Sequence, residues 1–215
     1  TLKKFVAIMG AIILALFCFA GCKKKSSVIR LNEVTHSVFY APLYLAINLG
    51  LMEEEQIEIE LTNGGGSDVS MAALPSNKPK NALLGPETLV YVVKGGSTDH
   101  PMVFGQLTKK DGSFIIGRNA EPNFNISNFT NKYIIGGRKG GMPAMTLEYA
   151  LNSAGIIDGT NMTFDTSIQF DMITAAFEGG KGDYCTMFEP AASNYVKSGK
   201  GYYVASVGEL AGEVP

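Results

Sequence analysis

The chain has 215 residues, 46% of them hydrophobic and 18% charged, which is the balance of a folded protein with a substantial core. Its formal net charge at pH 7 is only −2, and its one run of three basic residues is Lys23 to Lys25. Because proteins that bind nucleic acid carry an extended basic surface, this charge pattern argues against nucleic acid as a partner.

The N-terminal segment has the layout of a secretory signal. Two lysines precede an apolar run over residues 5–20, and a small residue and Cys22 follow it. The pattern resembles the bacterial lipobox, although Phe19 stands where that motif usually has Leu. We predict a signal peptide over residues 1–22, with Cys22 as the lipidated first residue of an extracytoplasmic protein held at the bacterial cell membrane. A transmembrane anchor is the alternative, but the apolar run is shorter than the roughly 20 residues that span a bilayer.

The cysteine and histidine content limits the available chemistry. Cys18 would leave with the signal and Cys22 would carry lipid, so Cys185 alone stays in the folded part, where its apolar neighbours predict a buried thiol. The two histidines, His36 and His100, have no metal-ligand spacing. The sequence therefore predicts neither a metal site nor a cofactor.

After a polar tether over residues 23–27, strand and helix patterns alternate, which predicts a first α/β lobe over residues 28–118. The predicted strands are residues 28–34, 57–62, 81–84, 102–107 and 113–117, and the predicted helices are residues 42–49, 67–74 and 86–94. The spacing of apolar residues gives the first of these helices one buried face.

The loop before the first helix is the strongest candidate for ligand contact. Pro42 suits the first turn of a helix, so Thr35, His36, Phe39 and Tyr40 lie between the end of a strand and the free amides of a helix start. In open α/β sheets, that edge binds small molecules. An ordinary connection whose aromatic rings pack in the core is the alternative.

Two further connections of the first lobe carry candidate residues. The glycine run around Gly65 would let the backbone approach a ligand, although it matches neither the dinucleotide motif nor the phosphate-loop motif. Glu87 follows the third strand directly, and Gln106 lies in the fourth strand-like run.

Residues 121–131 lack periodicity, which we interpret as the crossing into a second lobe over residues 119–215. The strand and helix order then repeats, which predicts two parallel sheets whose carboxyl edges face each other across a cleft. The second lobe repeats the ligand-side features of the first, and its candidate contacts are Arg138, Gly141, Met142 and Glu189.

Five stretches taken together are similar to the solute-binding proteins of ABC importers: residues 34–44, 60–66, 84–87, 135–143 and 188–190. The resemblance is to the branch that binds thiamine pyrimidine precursors, riboflavin, taurine, alkanesulfonates and nitrate. It implies an α/β, two-lobed fold of the type II periplasmic binding proteins that closes over one small molecule and delivers it to permease subunits. That family normally continues with a segment that returns to the first lobe, so we expect the C-terminal return segment to be missing here.

These observations favour capture of a small heteroaromatic nutrient, such as a thiamine pyrimidine precursor or riboflavin, with no catalysis. Phe39 and Tyr40 can stack on a flat ligand, Glu87 and Glu189 can accept hydrogen bonds from ring amino groups, and Arg138 can hold an anionic substituent. In the alternative reading, the two glutamates cap helices and Arg138 is solvated. A sulfonate, taurine or nitrate binder is a second hypothesis, and an enzyme that makes the thiamine pyrimidine with His36 as a reacting group is the third.

Overall fold

The computed structural model describes residues 26–76 and 80–214, and these residues form two α/β lobes. The predicted signal peptide, Cys22 and the basic part of the tether lie outside the described residues. Within those residues, no helix combines the length and the apolar character that a membrane span requires.

The first lobe is built on three parallel strands in the order β2-β1-β3. The strands are β1 (Ser27–Glu33), β2 (Ile57–Asn63) and β3 (Asn81–Leu83), and the helices are α1 (Ala41–Asn48), α2 (Leu51–Glu54), α3 (Ser67–Ala73) and α4 (Glu87–Lys94). The strict alternation that predicted a strand from Ile57 is confirmed, and Pro42 lies at the start of α1 as predicted. In this lobe, α1, α3 and α4 each follow a turn at the edge of the sheet, and α2 follows α1.

The second lobe is built on five strands in the order β6-β5-β7-β4-β8. The strands are β4 (Phe114–Gly117), β5 (Tyr133–Ile135), β6 (Thr163–Asp165), β7 (Tyr184–Met187) and β8 (Tyr202–Ser206), and the helices are α5 (Met142–Ser153), α6 (Ile173–Glu178), α7 (Ala191–Lys197) and α8 (Val207–Ala211). A short 3-10 turn over Phe170–Met172 precedes α6, and another over Ile126–Phe129 precedes β5.

Strand β4 corrects two expectations from the sequence. Phe114–Gly117 was assigned to the first lobe, but it pairs with β7 and β8 in the second sheet. Both pairings are antiparallel, so the second sheet is mixed and not wholly parallel. Apolar patterning identifies a strand but not its partner. A crossover helix makes the strands that it joins parallel, and the long connection before β4 contains no such helix.

The strand expected over residues 102–107 is not formed. The segment has no sheet pairing, and Met102 and Phe104 expose 86% and 84% of their surface. An apolar run becomes a strand only where a neighbouring edge accepts its hydrogen bonds, and among the described residues no strand lies beside this one.

The hydrophobic core lies in the second lobe. Residue alternation along the central strands places Ile115 and Ile134 in a cluster on one face of the sheet, and Ile116 and Ile135 in a cluster on the other. As predicted, Cys185 is fully buried, and burial raises the pKa of its thiol.

The first lobe has a different interior. In the part of the chain that the structure describes, every buried hydrophobic side chain belongs to residues 115–207, and no residue of α1 is buried. The predicted buried face of α1 is therefore wrong, because its apolar residues are only partly covered. The buried residues of the first lobe are mainly polar, and they include Glu33 and Glu87.

Candidate functional site

The carboxyl edges of the two sheets are in direct contact. Arg138, after β5, donates a hydrogen bond of 2.6 Å from its guanidinium to the carboxylate of Asp68 at the start of α3. The Tyr91 hydroxyl of α4 donates to the carbonyl oxygen of Gly140 at 3.1 Å. The Phe39 and Phe188 rings approach with centroids 6.3 Å apart. We call this meeting of the two edges the interlobe site.

The aromatic loop of the first lobe is folded into a short 3-10 turn over Val38–Tyr40. The Ser37 hydroxyl caps this turn by accepting the Phe39 N–H at 3.3 Å. Phe39 then packs between Tyr40 and Phe188, and a Cβ added to Gly112 would collide with its ring. Phe39 is thus half-buried at the site and also supports the contact between the lobes.

A buried carboxylate that the sequence analysis did not select lies behind this loop. Glu33, the last residue of β1, exposes 2% of its surface and accepts a hydrogen bond of 2.5 Å from the Tyr44 hydroxyl. Its other oxygen lies 3.0 Å from Nδ1 of His36, whose ring stacks on Tyr44. Burial and the hydrogen bond to Glu33 raise the pKa of Tyr44 to about 12. Glu33 could have been selected from the sequence because it is an acidic residue at the carboxyl end of a strand, where a buried charge often marks a functional site.

Glu87 is the least satisfied group at the interlobe site. It exposes 5% of its surface, and neither carboxylate oxygen has a partner with hydrogen-bond geometry. Burial raises the pKa of Glu87, and the nearby backbone N–H of Met142 and hydroxyl of Ser67 offset this only in part. A buried polar group without a partner costs about 1–3 kcal/mol, so this side chain is held in an unfavourable state.

Tyr40 lies close to both buried carboxylates of the first lobe. Burial raises the pKa of its hydroxyl to about 12, and the negative charges of Glu33 and Glu87 act in the same direction. The phenol therefore stays protonated and remains a hydrogen-bond donor at neutral pH. The first-lobe side of the site thus combines one aromatic donor with two acids.

Arg138, the candidate for holding an anion, is already paired with Asp68. Burial acts to raise the pKa of Asp68, but the hydrogen bonds from Arg138 and from the N–H of Val69 together hold it below its ordinary value. The side chains of Arg138 and Asp68 expose 31% and 62% of their surface, so this pair is partly open to solvent. In this structure the guanidinium joins the lobes.

Glu189, the second-lobe counterpart of Glu87, has partners for both oxygens. One accepts a hydrogen bond of 2.6 Å from the Tyr203 hydroxyl, and the other accepts one of 3.1 Å from the backbone N–H of Ser193 in the first turn of α7. Burial acts to raise the pKa of Glu189, but these hydrogen bonds hold it below its ordinary value. The geometry is that of a helix cap, so a ligand contact from Glu189 stays a prediction.

The remaining candidates are spread over the two edges and beyond them. Gly65 has a left-handed backbone, and its N–H donates to the Asn63 side chain at 2.8 Å, so this amide is engaged. Gly141 and Met142 lie at the start of α5, beside Glu87. Thr35 is exposed, and Gln106 lies in the exposed segment that forms no strand.

Two open surface depressions lie away from the interlobe site. One, of about 470 Å³, is on the outer face of α5, and the other, of about 310 Å³, is beside β8. Both are open to solvent, and neither is lined by a residue that the sequence predicts to contact a ligand. Among the described residues, no group of three or more histidine, cysteine or acidic side chains could hold a metal ion.

The two sheets with facing carboxyl edges define the fold of the periplasmic binding proteins, and solved structures confirm this fold class. The alkanesulfonate-binding protein SsuA from Xanthomonas axonopodis pv. citri, bound to MOPS, matches with a TM-score of 0.64 at 16% identity, over 88% of this chain and 63% of its own. The nitrate-binding protein NrtA from Synechocystis PCC 6803 matches with a TM-score of 0.58 at 17% identity, over 84% of this chain and 51% of its own.

In sequence, the chain is 41% identical over 211 residues to a Bacillus subtilis (strain 168) protein named "Putative binding protein YtlA". The match covers 97% of this chain and 63% of the relative, so the chain spans less than two thirds of that protein's length. No protein-family model matches the chain.

Proposed function

We propose that this protein is the extracytoplasmic solute-binding component of an ABC importer and captures a small heteroaromatic nutrient, such as a thiamine pyrimidine precursor or riboflavin. The observation that carries the proposal is the contact between the two carboxyl edges, made through Asp68 and Arg138 and through Tyr91 and Gly140. Edges that meet in this way can enclose a small molecule from both sides. The names of the sequence relative and of the structural neighbours support a binding role.

The aromatic part of the proposed ligand follows from the rings at the site. Phe39 and Tyr40 extend from the first lobe and Phe188 from the second, with neighbouring ring centroids 5.7 and 6.3 Å apart. Such rings favour a flat ligand through stacking and edge contacts. The second hypothesis, a sulfonate or nitrate ligand, is supported by what the structural neighbours are named for.

The enzyme hypothesis receives less support from the geometry. The Cys185 thiol is buried with a raised pKa, so it is not presented to a ligand as an activated nucleophile. His36 is oriented by Glu33 and its ring is largely exposed, as a general base requires, but among the described residues no serine, threonine or cysteine side chain hydrogen-bonds to it. Binding and release require only complementarity and closure. Within this proposal, the permease subunits are the protein partners, and a lipid on Cys22 holds the protein at the membrane.

The test is to purify the protein without denaturation and to identify the small molecules that it carries by mass spectrometry. The extract should contain one heteroaromatic compound at a constant ratio to protein, and adding that compound should raise the melting temperature. Tyr40→Ala should weaken this binding, whereas Glu54→Ala on the outer helix α2 should not. A purified protein that carries no small molecule and is stabilised by none from a nutrient panel would refute the proposal.

A further inference from the structure

We propose that Met145 is a site of reversible oxidation, at which a two-electron oxidant such as hydrogen peroxide converts the thioether to a sulfoxide and loosens the contact between the two lobes. Such oxidation acts on the junction of the lobes and requires no ligand, so it is independent of which solute the protein captures. The contact in question is made by the Tyr91 hydroxyl of α4, which reaches from the first lobe to two acceptors in the second.

These two acceptors share a single proton. The carbonyl oxygen of Gly140 and the Sδ atom of Met145 each lie 3.1 Å from the Tyr91 hydroxyl oxygen, and a phenol has one O–H to donate. A thioether sulfur is a weak acceptor and a carbonyl oxygen is a strong one, so the reduced Met145 leaves the bond to Gly140 in place. The contact is close, because a Cβ added at Gly140 would lie 3.5 Å from the Tyr91 hydroxyl.

An oxidant can reach Met145 from solvent. The residue exposes 38% of its surface and lines the depression on the outer face of α5. Met102 and Met172 are more exposed, but among the described residues Met145 is the one methionine whose sulfur accepts a hydrogen bond from the other lobe. Oxidation of Met145 therefore acts on the junction, whereas oxidation of the other two leaves this bond intact.

The oxidation balances with peroxide as the co-reactant. The sulfur attacks one peroxide oxygen, the S–O bond forms as the O–O bond breaks, and the second oxygen leaves as water with both protons. The sulfur loses two electrons and the peroxide gains them. Methionine sulfoxide reductases reverse the change with electrons from thiols.

The product does not fit the geometry of the reduced junction. A sulfoxide oxygen that accepts the Tyr91 proton lies about 2.7 Å from the hydroxyl oxygen, and the S–O bond then places the sulfur beyond the present 3.1 Å. The sulfoxide is also polar, so it competes with the Gly140 carbonyl for the one proton. Either the sulfur moves outward or Tyr91 leaves Gly140, and both changes weaken the hold of Tyr91 on the second lobe.

The test oxidises the full chain with hydrogen peroxide, maps the modified methionines by peptide mass spectrometry, and measures amide hydrogen exchange before and after. We expect sulfoxide at Met145, together with exchange about two- to tenfold faster in peptides from residues 138–145, which is the factor that one net hydrogen bond contributes to an opening equilibrium. Peptides from the buried strand β7 should be unchanged. Methionine sulfoxide reductases A and B should restore slow exchange.

Three variants separate the effect at the junction from general oxidative damage. Met145→Leu cannot form a sulfoxide and should not respond to peroxide. Tyr91→Phe lacks the hydroxyl, so it should exchange faster before oxidation and change little after it, whereas Met102→Leu should respond as the wild type does.

Three results would overturn this assignment: Met145 left unmodified under conditions that oxidise Met102, unchanged exchange after Met145 is oxidised, or a response of Met145→Leu equal to that of the wild type. None of these readouts requires a bound solute, so failure here leaves the solute-binding proposal standing.

Discussion

Replacing Glu87 by Gln should make the ligand-free protein more stable at neutral pH. The carboxyl group is buried, and the nearby Met142 N–H and Ser67 hydroxyl do not reach good hydrogen-bond geometry, so burial raises its pKa above the ordinary value of 4.5. A folded-state pKa above the unfolded-state value means that the folded protein binds more protons, so the contribution of Glu87 to stability is lost as the pH rises through the folded-state pKa. The neutral amide has no charge to desolvate and does not lose stability in this range.

The size of the effect follows from the cost of an unsatisfied buried group. That cost is about 1–3 kcal/mol, and the ionised form of Glu87 bears it while the neutral form bears less. We therefore expect the difference in unfolding free energy, Gln variant minus wild type, to grow by about 1–3 kcal/mol between pH 4 and pH 8. Other shifted groups, such as the partly buried Asp111, are present in both proteins and cancel in the difference.

Urea unfolding followed by circular dichroism at several pH values measures this difference directly. The matched control is Glu54→Gln, because Glu54 is an exposed residue of α2 and should follow the wild type at every pH. A Glu87→Gln curve that runs parallel to the wild type from pH 4 to pH 8, or falls below it as the pH rises, would show that Glu87 is not held in a desolvated state.

Three further outcomes are expected. Cys22→Ala should release the protein from membranes or leave an unprocessed precursor, measured by membrane fractionation, and unchanged membrane partitioning with normal cleavage would contradict the lipid anchor. A double-mutant cycle of Asp68→Asn and Arg138→Ala on ligand affinity should give a coupling below about 1 kcal/mol, because both side chains are partly exposed, and a coupling above about 2 kcal/mol would contradict this. Leu147→Ala should lower the unfolding free energy by about 2–5 kcal/mol, whereas Leu45→Ala on the half-covered α1 should cost far less, and equal losses would refute the placement of the core.

The parts of the fold that could be predicted from the sequence are those set by local rules. Alternation identified the strand that begins at Ile57, and Pro42 placed the start of α1. The parts that failed depend on distant partners. Strand β4 was recognised but placed in the wrong lobe, and residues 102–107 have strand-like composition but no edge to pair with.

The same distinction applies to the interlobe site. Glu87 and Glu189 look equivalent in sequence, since each adjoins a proline at the junction of a strand and a helix. The structure separates them because Tyr203, on the following strand, gives Glu189 a well-formed hydrogen bond, whereas the Met142 N–H and the Ser67 hydroxyl lie near Glu87 without good hydrogen-bond geometry. Glu33 was not selected from the sequence because the hydroxyl that hydrogen-bonds it, that of Tyr44, lies one turn into the next helix. Whether a polar group is satisfied depends on the whole fold, and pattern alone does not reveal it.

The two lobes therefore contribute differently to the proposed binding cycle. The first lobe holds the buried acid Glu87 near the donor Tyr40, so within the proposed function we expect a ligand to make polar contacts there. The second lobe supplies groups that are already paired, since Glu189 caps α7 and Arg138 bonds Asp68 across the junction. Because the two edges contact each other in this structure, we expect ligand entry to require their separation, after which closure restores the contacts between the lobes. We therefore expect substitutions at Glu87 to change ligand affinity more than substitutions of the Asp68 and Arg138 pair, whose coupling should stay below about 1 kcal/mol.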